Sequence, residues 1–566
     1  ILSGLVGSEM CIRDRPYSSN LTDKTGIEMK NILKTTTLAL VCSMALTGCI
    51  KETFPTDSAT SGQVSDSPTA VEAIVNAIPV NMTYPYSVYG RTNNYGFDFG
   101  YPGMMCATDA ATGDVICSSG DEGSGYDWFT YWQSGILIGP TQTVCRFPWN
   151  CYYTFIKSSN DVVGLLAGVE LSDAQKSYLG FAKAYRAQLY LDLARLYDPL
   201  DNKYTDVSGV KGLTVPIVDE NTTEDMARNN PRVTREAMFE FILRDLDDAE
   251  ALLANYTSSS KTNPSLAVIY GIKARAYLWL GGFDSSKYAD AATYARKAID
   301  ASKCTIMTET EWLNPKTGFN KANNSWMWYL PQSTEGIANL VNFAAWRSSE
   351  ATWGYGGKYV FEGVTSNFYN EISDTDWRKR AFVGPDAKYA DYSDITNLTA
   401  AQFANLPAYA NLKFHPAEGE TATYSVGNVT DIPMMRVEEM YLIEAEATAH
   451  ADASAGLQLL KTFMAKRDPE FSTSAVSSAD VVEEIIWNKR IELWGEGVVF
   501  YDFKRLNYSL KTGYVGTNVP SDCRFSTDGR APWWNFCIPE TETQQNTALE
   551  SQNNPNPVGI IDPWVQ

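Results

Sequence analysis

The sequence predicts a mainly α-helical protein whose helices are interrupted by long irregular segments. Apolar residues recur at spacings of three and four in both halves of the chain, as they do on the buried face of amphipathic helices. Two stretches, 81–149 and 312–412, instead carry Gly, Pro, Asn and most of the tryptophans. Because loops of this length in a compact domain are usually functional, we expect the binding surface to lie in them.

The N-terminal 28 residues do not fit the pattern of the remainder. Residues 1–28 carry mixed charges and have no sustained periodicity, so they match neither an export signal nor a packed domain. We interpret them as a non-native leader and expect the export signal to begin at Met29.

A lipoprotein signal peptide is predicted over residues 29–48. Lys30 and Lys34 form a basic region, and an apolar region that is too short to span a bilayer follows at residues 38–45. The tetrapeptide LTGC then ends at Cys49 and looks like a lipobox, whose cysteine thiol receives a diacylglycerol. We therefore expect lipidation of Cys49; an ordinary secretory signal with a chance cysteine is the alternative.

Composition divides the chain from Cys49 onward into a tether and a body. Residues 49–67 are rich in Thr, Ser, Asp and Pro, which predicts a flexible tether. We expect residues 68–566 to form one body, with an N-terminal part (68–311), a loop-rich middle (312–430) and a C-terminal helical part (431–566).

Periodic apolar residues predict the helices of the N-terminal part. One helix covers Ser177–Tyr197, and a second begins after Thr234, which has the chemistry of an N-cap. A helical pair runs from Ser265 to Asp300 and is broken at Gly281-Gly282. This pair has about the 34-residue length of a tetratricopeptide repeat.

Two pairs near the C-terminus have the same pattern. The first joins Met434–His450 to Ala455–Lys466, and the second joins Ala479–Trp494 to Gly497–Leu506. The predicted architecture is therefore a set of tetratricopeptide-like helical pairs with an irregular, loop-rich subdomain between them.

Composition excludes several classes of function. The chain carries 46 Lys and Arg against 67 Asp and Glu, a net charge of −21, so it repels nucleic acid and anionic membrane surfaces. Its two histidines make a zinc site or a histidine-based catalytic triad improbable, and it has no G-x-S-x-G, H-E-x-x-H or P-loop motif. We expect no metal and no cofactor; an acidic run at Asp121–Asp127 lacks the spacing of a calcium loop and is interpreted as solvated.

Cysteine counting leaves two possibilities open. Seven cysteines follow the lipobox, so at least one stays unpaired, and buried thiols are as compatible with the sequence as local disulfides. The local pairs would be Cys106 with Cys117, Cys145 with Cys151, and Cys523 with Cys537.

Five ordered segments carry a family resemblance. They are residues 182–187 with 192–197 (AKAYRA and DLARLY), 214–218 (TVPIV), 436–447 (RVEEMYLIEAEA), 488–493 with 501–505 (NKRIEL and YDFKR), and 538–546 (IPETETQQN). Together with the lipobox, they resemble the SusD/RagB family of outer-membrane nutrient-uptake lipoproteins over nearly the whole chain after the signal peptide. We expect the motif charges Glu439, Glu446, Arg490 and Glu492 to fix the packing between helices rather than to contact ligand.

The resemblance implies both a fold and a function. The family combines a tetratricopeptide-like scaffold with an irregular ligand-binding subdomain. Its members are lipid-anchored on the outer face of a Gram-negative outer membrane and sit on a SusC-like TonB-dependent transporter. They deliver oligosaccharides or, for RagB-type members, peptides, and catalysis is not expected.

Five aromatic residues are the predicted ligand platform: Trp128, Tyr131, Trp132, Trp353 and Tyr355. They lie in the irregular stretches among Gly, Ser and polar residues, and sugar rings stack their apolar faces on such side chains. Core packing is the competing interpretation for each ring, because large aromatic residues are usually buried.

Two further classes of function remain as alternatives. A surface glycoside hydrolase needs two carboxylates across a cleft, and the sequence does not single out a pair. A tetratricopeptide-type assembly adaptor would instead present a peptide groove and would have no affinity for sugar.

Overall fold

Helices make up most of the regular structure in the computed structural model, which describes residues 67–90, 92, 95–119, 128–257, 260–332, 334 and 340–565. The helices of the first half are α1 (Pro68–Asn81), α2 (Tyr101–Thr112), α3 (Thr130–Ser134), α4 (Thr143–Leu166), α5 (Asp173–Tyr197), α6 (Glu224–Ala227), α7 (Arg235–Leu252), α8 (Leu266–Gly281) and α9 (Lys287–Ser302). Those of the second half are α10 (Glu309–Trp312), α11 (Phe343–Arg347), α12 (Ser366–Glu371), α13 (Tyr389–Tyr392), α14 (Ala400–Phe403), α15 (Tyr424–Gly427), α16 (Val437–Ala451), α17 (Ala453–Met464), α18 (Ser478–Glu492), α19 (Val499–Arg505) and α20 (Glu540–Thr543).

Short antiparallel strands connect regions that are distant in sequence. β1 (Ile116–Ser119) pairs with β3 (Val360–Gly363), so that Ile116 lies opposite Gly363. β2 (Trp326–Leu330) pairs with β4 (Ile432–Arg436). The first pairing joins the two irregular stretches that hold the predicted ligand platform.

The helical scaffold confirms the predicted pairs. α5 packs between α4 and α7, α8 packs on α9, and α16 contacts α9, α17 and α18. The Thr234 side chain accepts a hydrogen bond from the Ala237 amide at 3.2 Å, as an N-cap does. The mainly α-helical fold class is therefore confirmed.

The break between α8 and α9 has a steric reason. The backbone of Gly281 lies directly against the ring of Tyr288 on α9, and a β-carbon at this position would clash with that ring. Glycine therefore allows the two helices of the pair to approach closely.

Several boundaries differ from the predicted ones. Residues 434–436 belong to β4, so the C-terminal pair begins at Val437 rather than at Met434. The stretch 81–149 contains α2, β1 and α3 in addition to loops. Helix α2 escaped the prediction because all of its residues are buried, so it has no polar face to reveal a helical period.

The motif charges form buried ion pairs between elements. Glu439 on α16 accepts from Arg275 on α8 at 2.6 Å, and Glu446 pairs with Arg505 of α19. Arg490 on α18 donates to Asp114 at 2.7 Å. These contacts agree with the expectation that the charges fix the packing between helices.

Glu492 is the centre of the largest of these networks. Its carboxylate lies 2.8 Å from Arg467, 3.0 Å from Arg378 and 3.3 Å from Arg436, and all four side chains are fully buried. Burial alone would raise the pKa of Glu492, but the three guanidinium groups hold it well below its usual range.

The local disulfide pairings are not present. All seven cysteines of the described ranges are free, and Cys304 is the one that is not fully buried. Spatial neighbours come from distant parts of the chain: the Cys145 thiol donates to the Cys537 carbonyl at 3.3 Å, and Cys523 packs beside Ile116 of β1. In the part of the chain that the structure describes, none of the helices is long and apolar enough to cross a membrane.

Candidate functional site

A buried carboxylate shapes the loop before α2. Asp98 is fully buried, and its carboxylate accepts from the backbone amides of Val88 at 3.3 Å and Tyr89 at 2.9 Å. The Tyr86 amide donates to the Asp98 carbonyl at 2.7 Å. Burial raises the pKa of Asp98 to about 6, although the amide hydrogen bonds oppose the shift. These bonds fix the turn that presents Tyr89.

Four half-buried rings form a continuous surface, which we call the aromatic patch: Tyr89, Tyr95, Trp128 and Tyr131. Ring centroids lie 5.1 Å apart for Tyr89 and Tyr95, 6.4 Å for Tyr95 and Trp128, and 6.1 Å for Trp128 and Tyr131, each pair edge to face. Such geometry is the favourable one for neighbouring aromatic rings. The patch thus offers several adjacent apolar surfaces to a ligand.

A layer of buried rings supports the patch. Phe97 packs on Trp128 at 5.2 Å and on Phe147 of α4 at 5.1 Å. Trp346 of α11 stacks on Tyr355 at 4.4 Å. Because the packing beneath them already restricts these side chains, they lose little conformational entropy when a ligand binds.

Gly96 is the point where the two irregular stretches meet. Its carbonyl accepts from Nε1 of Trp346 at 3.1 Å. A β-carbon at Gly96 would lie 3.2 Å from Nε1 of Trp128 and 3.4 Å from the Tyr355 hydroxyl. The two stretches that were expected to carry the binding surface are therefore in contact at Gly96.

The predicted platform residues separate into three environments. Trp128 and Tyr131 belong to the patch, and Tyr355, which is 7% exposed, lies in the layer beneath it. Trp132 is 3% exposed and stacks on Phe536 at 5.1 Å, so it is a core residue. The physical reason is that helix α3 turns Trp132 into the interior, where a ligand cannot reach its face.

Trp353 lies in a different neighbourhood. It is half-buried beside α15, where a β-carbon at Gly427 would lie 2.9 Å from its ring. Its indole Nε1 is buried without a hydrogen-bond partner in the described residues. The nearby Tyr424 of α15 is 45% exposed. Trp353 could thus contact a ligand only at a second position.

The sequence analysis missed Tyr89 and Tyr95. Each is followed directly by glycine, and two asparagines lie between them in the segment YGRTNNYG. An aromatic residue in a loop of glycine and amide residues, rather than in an apolar period, was the available signal.

Two basic residues lie near the patch: Arg146, whose charge acts on Tyr89, and Lys358. The Lys358 ammonium lies 5.1 Å from the centre of the Tyr359 ring, and Tyr359 lies 6.3 Å from Tyr355. No group of three or more His, Cys, Asp or Glu side chains in the described ranges could hold a metal ion. The acidic run Asp121–Asp127 lies outside those ranges.

Two clefts lie away from the predicted platform residues. A cavity of about 460 Å³ lies beside α4, and one of about 1,070 Å³ lies beside α1; the predicted platform residues line neither of them. The patch is thus an open surface, which suits an extended ligand better than a small enclosed one.

Comparison with protein-family models finds a match in the C-terminal part of the chain. The family model described as SusD family matches residues 350–556. Over this region, the chain is similar to the SusD family. The match includes the segments at 436–447, 488–493, 501–505 and 538–546 that carried the resemblance.

Solved structures extend the likeness to the rest of the fold. A SusD-like carbohydrate binding protein from Bacteroides vulgatus has a TM-score of 0.67 and 22% identity, covering 88% of this chain and 99% of the other. A SusD superfamily protein from the same species has a TM-score of 0.65 and 17% identity over 86% of this chain and 99% of its own.

A third structure contains a ligand. Surface glycan-binding protein A from Bacteroides thetaiotaomicron, in complex with laminarihexaose, has a TM-score of 0.61 and 16% identity, covering 86% of this chain and 99% of the other. Comparison with curated proteins finds no match. At these identities the solved structures establish a SusD-like fold.

Proposed function

We propose that this protein is a cell-surface binding lipoprotein that captures an oligosaccharide and delivers it to a SusC-like TonB-dependent transporter. The observation that carries the proposal is the aromatic patch on a SusD-like fold. Two structural relatives are described as carbohydrate binding or hold laminarihexaose, which supports the ligand class.

The patch has the chemistry that a glycan needs. Sugar rings present C–H faces that stack on Trp and Tyr, and four such rings are half exposed here. The neighbouring rings follow one another at 5 to 6.5 Å, so an oligosaccharide could contact several of them at once. A peptide, the other ligand class of the family, would gain less from rings alone, because peptide recognition by strand addition depends on main-chain hydrogen bonds.

The buried carboxylate beside the patch is not placed for catalysis. Hydrolysis of a glycosidic bond requires an acid and a second carboxylate on either side of it. Asp98, beside the patch, is fully buried and engaged by backbone amides, so it cannot reach a ligand. Asp98 therefore cannot serve as either of these two carboxylates.

The proposed partner requires an apolar docking surface. Ile136 and Leu137 are 41% and 38% exposed, and Val558 and Ile560 are 40% and 45% exposed. A β-carbon at Gly139 would lie 3.2 Å from Val558, so the two segments meet on the surface. Such a cluster supports contact with another protein. The proposed lipid anchor, Cys49, lies outside the described residues.

Binding and turnover can be separated in one experiment. The protein without its signal peptide is incubated with laminarin and with a panel of other soluble glycans, and binding is followed by affinity electrophoresis. Products are analysed by chromatography in parallel. We expect at least one glycan to be retained without release of shorter products. Shortening of any retained glycan by the purified protein would favour the hydrolase, and retention of none would contradict glycan capture.

A further inference from the structure

A second cleft lies between α4 and the C-terminal segment, and we call it the α4 cleft. Its volume of about 460 Å³ falls within the range of about 300–1,000 Å³ typical of small-molecule sites. Val88, the neighbour of Tyr89 in the chain, lies on its rim, but the cleft and the aromatic patch share no residue. The α4 cleft is therefore distinct from the aromatic patch.

The walls of the α4 cleft are held by side-chain hydrogen bonds. The Tyr153 hydroxyl donates to the Pro216 carbonyl at 2.7 Å, and the Asn230 amide donates to the Ile217 carbonyl at 2.8 Å. The Asn546 side chain donates to the Asn230 carbonyl at 2.6 Å and accepts from its backbone amide at 3.0 Å. These bonds tie α4, the loop at 216–218 and the C-terminal segment together, so the cleft is preformed for a ligand.

Polar groups remain available on the lining. The Asn150 side chain on α4 has no hydrogen-bond partner among the described residues, although it lines the cleft. Glu542 is half-buried, and burial raises the pKa of its carboxyl, which the Trp149 side chain opposes by a hydrogen bond. The lining thus includes one amide from α4 and one carboxyl from α20.

The lining also contains apolar surface but no spare positive charge. Trp149 and Tyr153 lie together on α4 with ring centroids 4.9 Å apart. The Lys157 ammonium at the edge of the cleft is already paired with Asp161 at 2.8 Å. An anionic ligand would consequently lack a counter-charge.

We propose that the α4 cleft is a separate binding site for a small neutral saccharide, of one or two sugar units. Asn150 and Glu542 would bond hydroxyl groups, and Tyr153 with Trp149 would contact the apolar face of the ring. A ligand amine is the nearest chemical alternative, since it could use the carboxyl and the rings together. The choline arm of the experiment below distinguishes this alternative.

Ligand-observed saturation-transfer NMR tests this site. The probes are glucose, galactose, mannose, xylose, N-acetylglucosamine, maltose and laminaribiose, each at millimolar concentration, with choline as the amine probe. The variants are Asn150→Ala and Glu542→Gln in the cleft, and Trp128→Ala in the aromatic patch. Ser158→Ala on the same helix and Glu540→Gln two residues before Glu542 are the matched controls outside the cleft.

We expect at least one neutral saccharide to bind, and its Kd to rise by about tenfold or more in both cleft variants. The controls and Trp128→Ala should leave that Kd unchanged, which also separates this proposal from the role of the patch. The assignment is overturned if no saccharide binds, if only choline binds, or if Trp128→Ala abolishes a signal that both cleft variants retain. Circular dichroism and thermal unfolding of each variant verify that the fold is intact.

Discussion

At the scale of the residue, Asp98 is the group whose chemistry bears most directly on the patch. Its carboxylate is fully buried, yet it accepts the amides of Val88 and Tyr89 that form the turn below the rings. Burial destabilises the charged carboxylate by more than these hydrogen bonds stabilise it. The pKa of Asp98 is therefore raised from 3.8 to about 6. The turn therefore depends on a group that titrates in a mildly acidic range.

The pH dependence of stability follows from that shift. Between pH 4 and pH 6 the folded state holds the Asp98 proton more tightly than the unfolded state does, so this group's contribution to stability falls as pH rises. Asp98→Asn stays neutral and should escape the fall. Relative to the natural protein, the variant should gain about 2 to 3 kcal/mol between pH 4 and pH 7, as measured by urea unfolding. Asp225→Asn on the exposed helix α6 is the control, and parallel pH profiles for Asp98→Asn and the natural protein would contradict the assignment.

At the scale of the element, α18 is held by charge as well as by apolar packing. Glu492, at its last turn, receives the guanidinium groups of Arg378, Arg436 and Arg467, which come from three other segments. A buried carboxylate shared by three cations stabilises mainly because its removal would leave excess positive charge in the interior. The segment 488–493, which contributes to the family resemblance, thus stabilises the packing of α18 against its neighbours.

Removal of this one charge should be costly. Glu492→Gln keeps the shape of the side chain but removes the negative charge that the three guanidinium groups share. We therefore expect the protein to lose about 3 to 5 kcal/mol of stability, although Asp376, Glu438 and Glu496 still pair with these arginines. Glu483→Gln, on the exposed side of the same helix, should change stability by no more than about 0.5 kcal/mol. Thermal unfolding measures both. Equal midpoints for the two variants would show that the network does not stabilise the fold.

The elements also show what a sequence pattern reveals and what it hides. The helices α5, α7, α8, α9 and α16 to α19 were predictable because each has an apolar stripe and recognisable ends, such as the Thr234 cap. Helix α2 was hidden because it is buried on every side. The burial of Trp132 was not predictable, because the five residues of helix α3 are too few to show a helical period and hence which ring faces inward.

At the scale of the whole molecule, the patch is assembled from segments that are far apart in the chain. The loop with Tyr89 and Tyr95, the segment with Trp128 and Tyr131, and the layer around Tyr355 converge at Gly96. The pairing of β1 with β3 joins these regions. The sequence indicated which stretches carry the site, but only tertiary contacts decide which rings lie on the surface and which lie beneath it.

One pair of residues, Trp128 and Trp132, distinguishes a binding role from a packing role. Trp128 is half exposed over Phe97, and Trp132, four residues later, is 3% exposed against Phe536. Both are tryptophans of the same short segment. They therefore form a matched pair in which only the environment differs.

The most direct test compares Trp128→Ala with Trp132→Ala in glycan binding and in unfolding. For Trp128→Ala we predict a loss of about 1 to 3 kcal/mol of binding to the retained glycan, by analogy with aromatic stacking of bases, and nearly unchanged stability. For Trp132→Ala we predict a loss of about 3 to 5 kcal/mol of stability. Isothermal titration calorimetry and urea unfolding measure the two quantities. Unaltered glycan affinity in a well-folded Trp128→Ala variant would contradict the proposal that the aromatic patch is the ligand-binding surface.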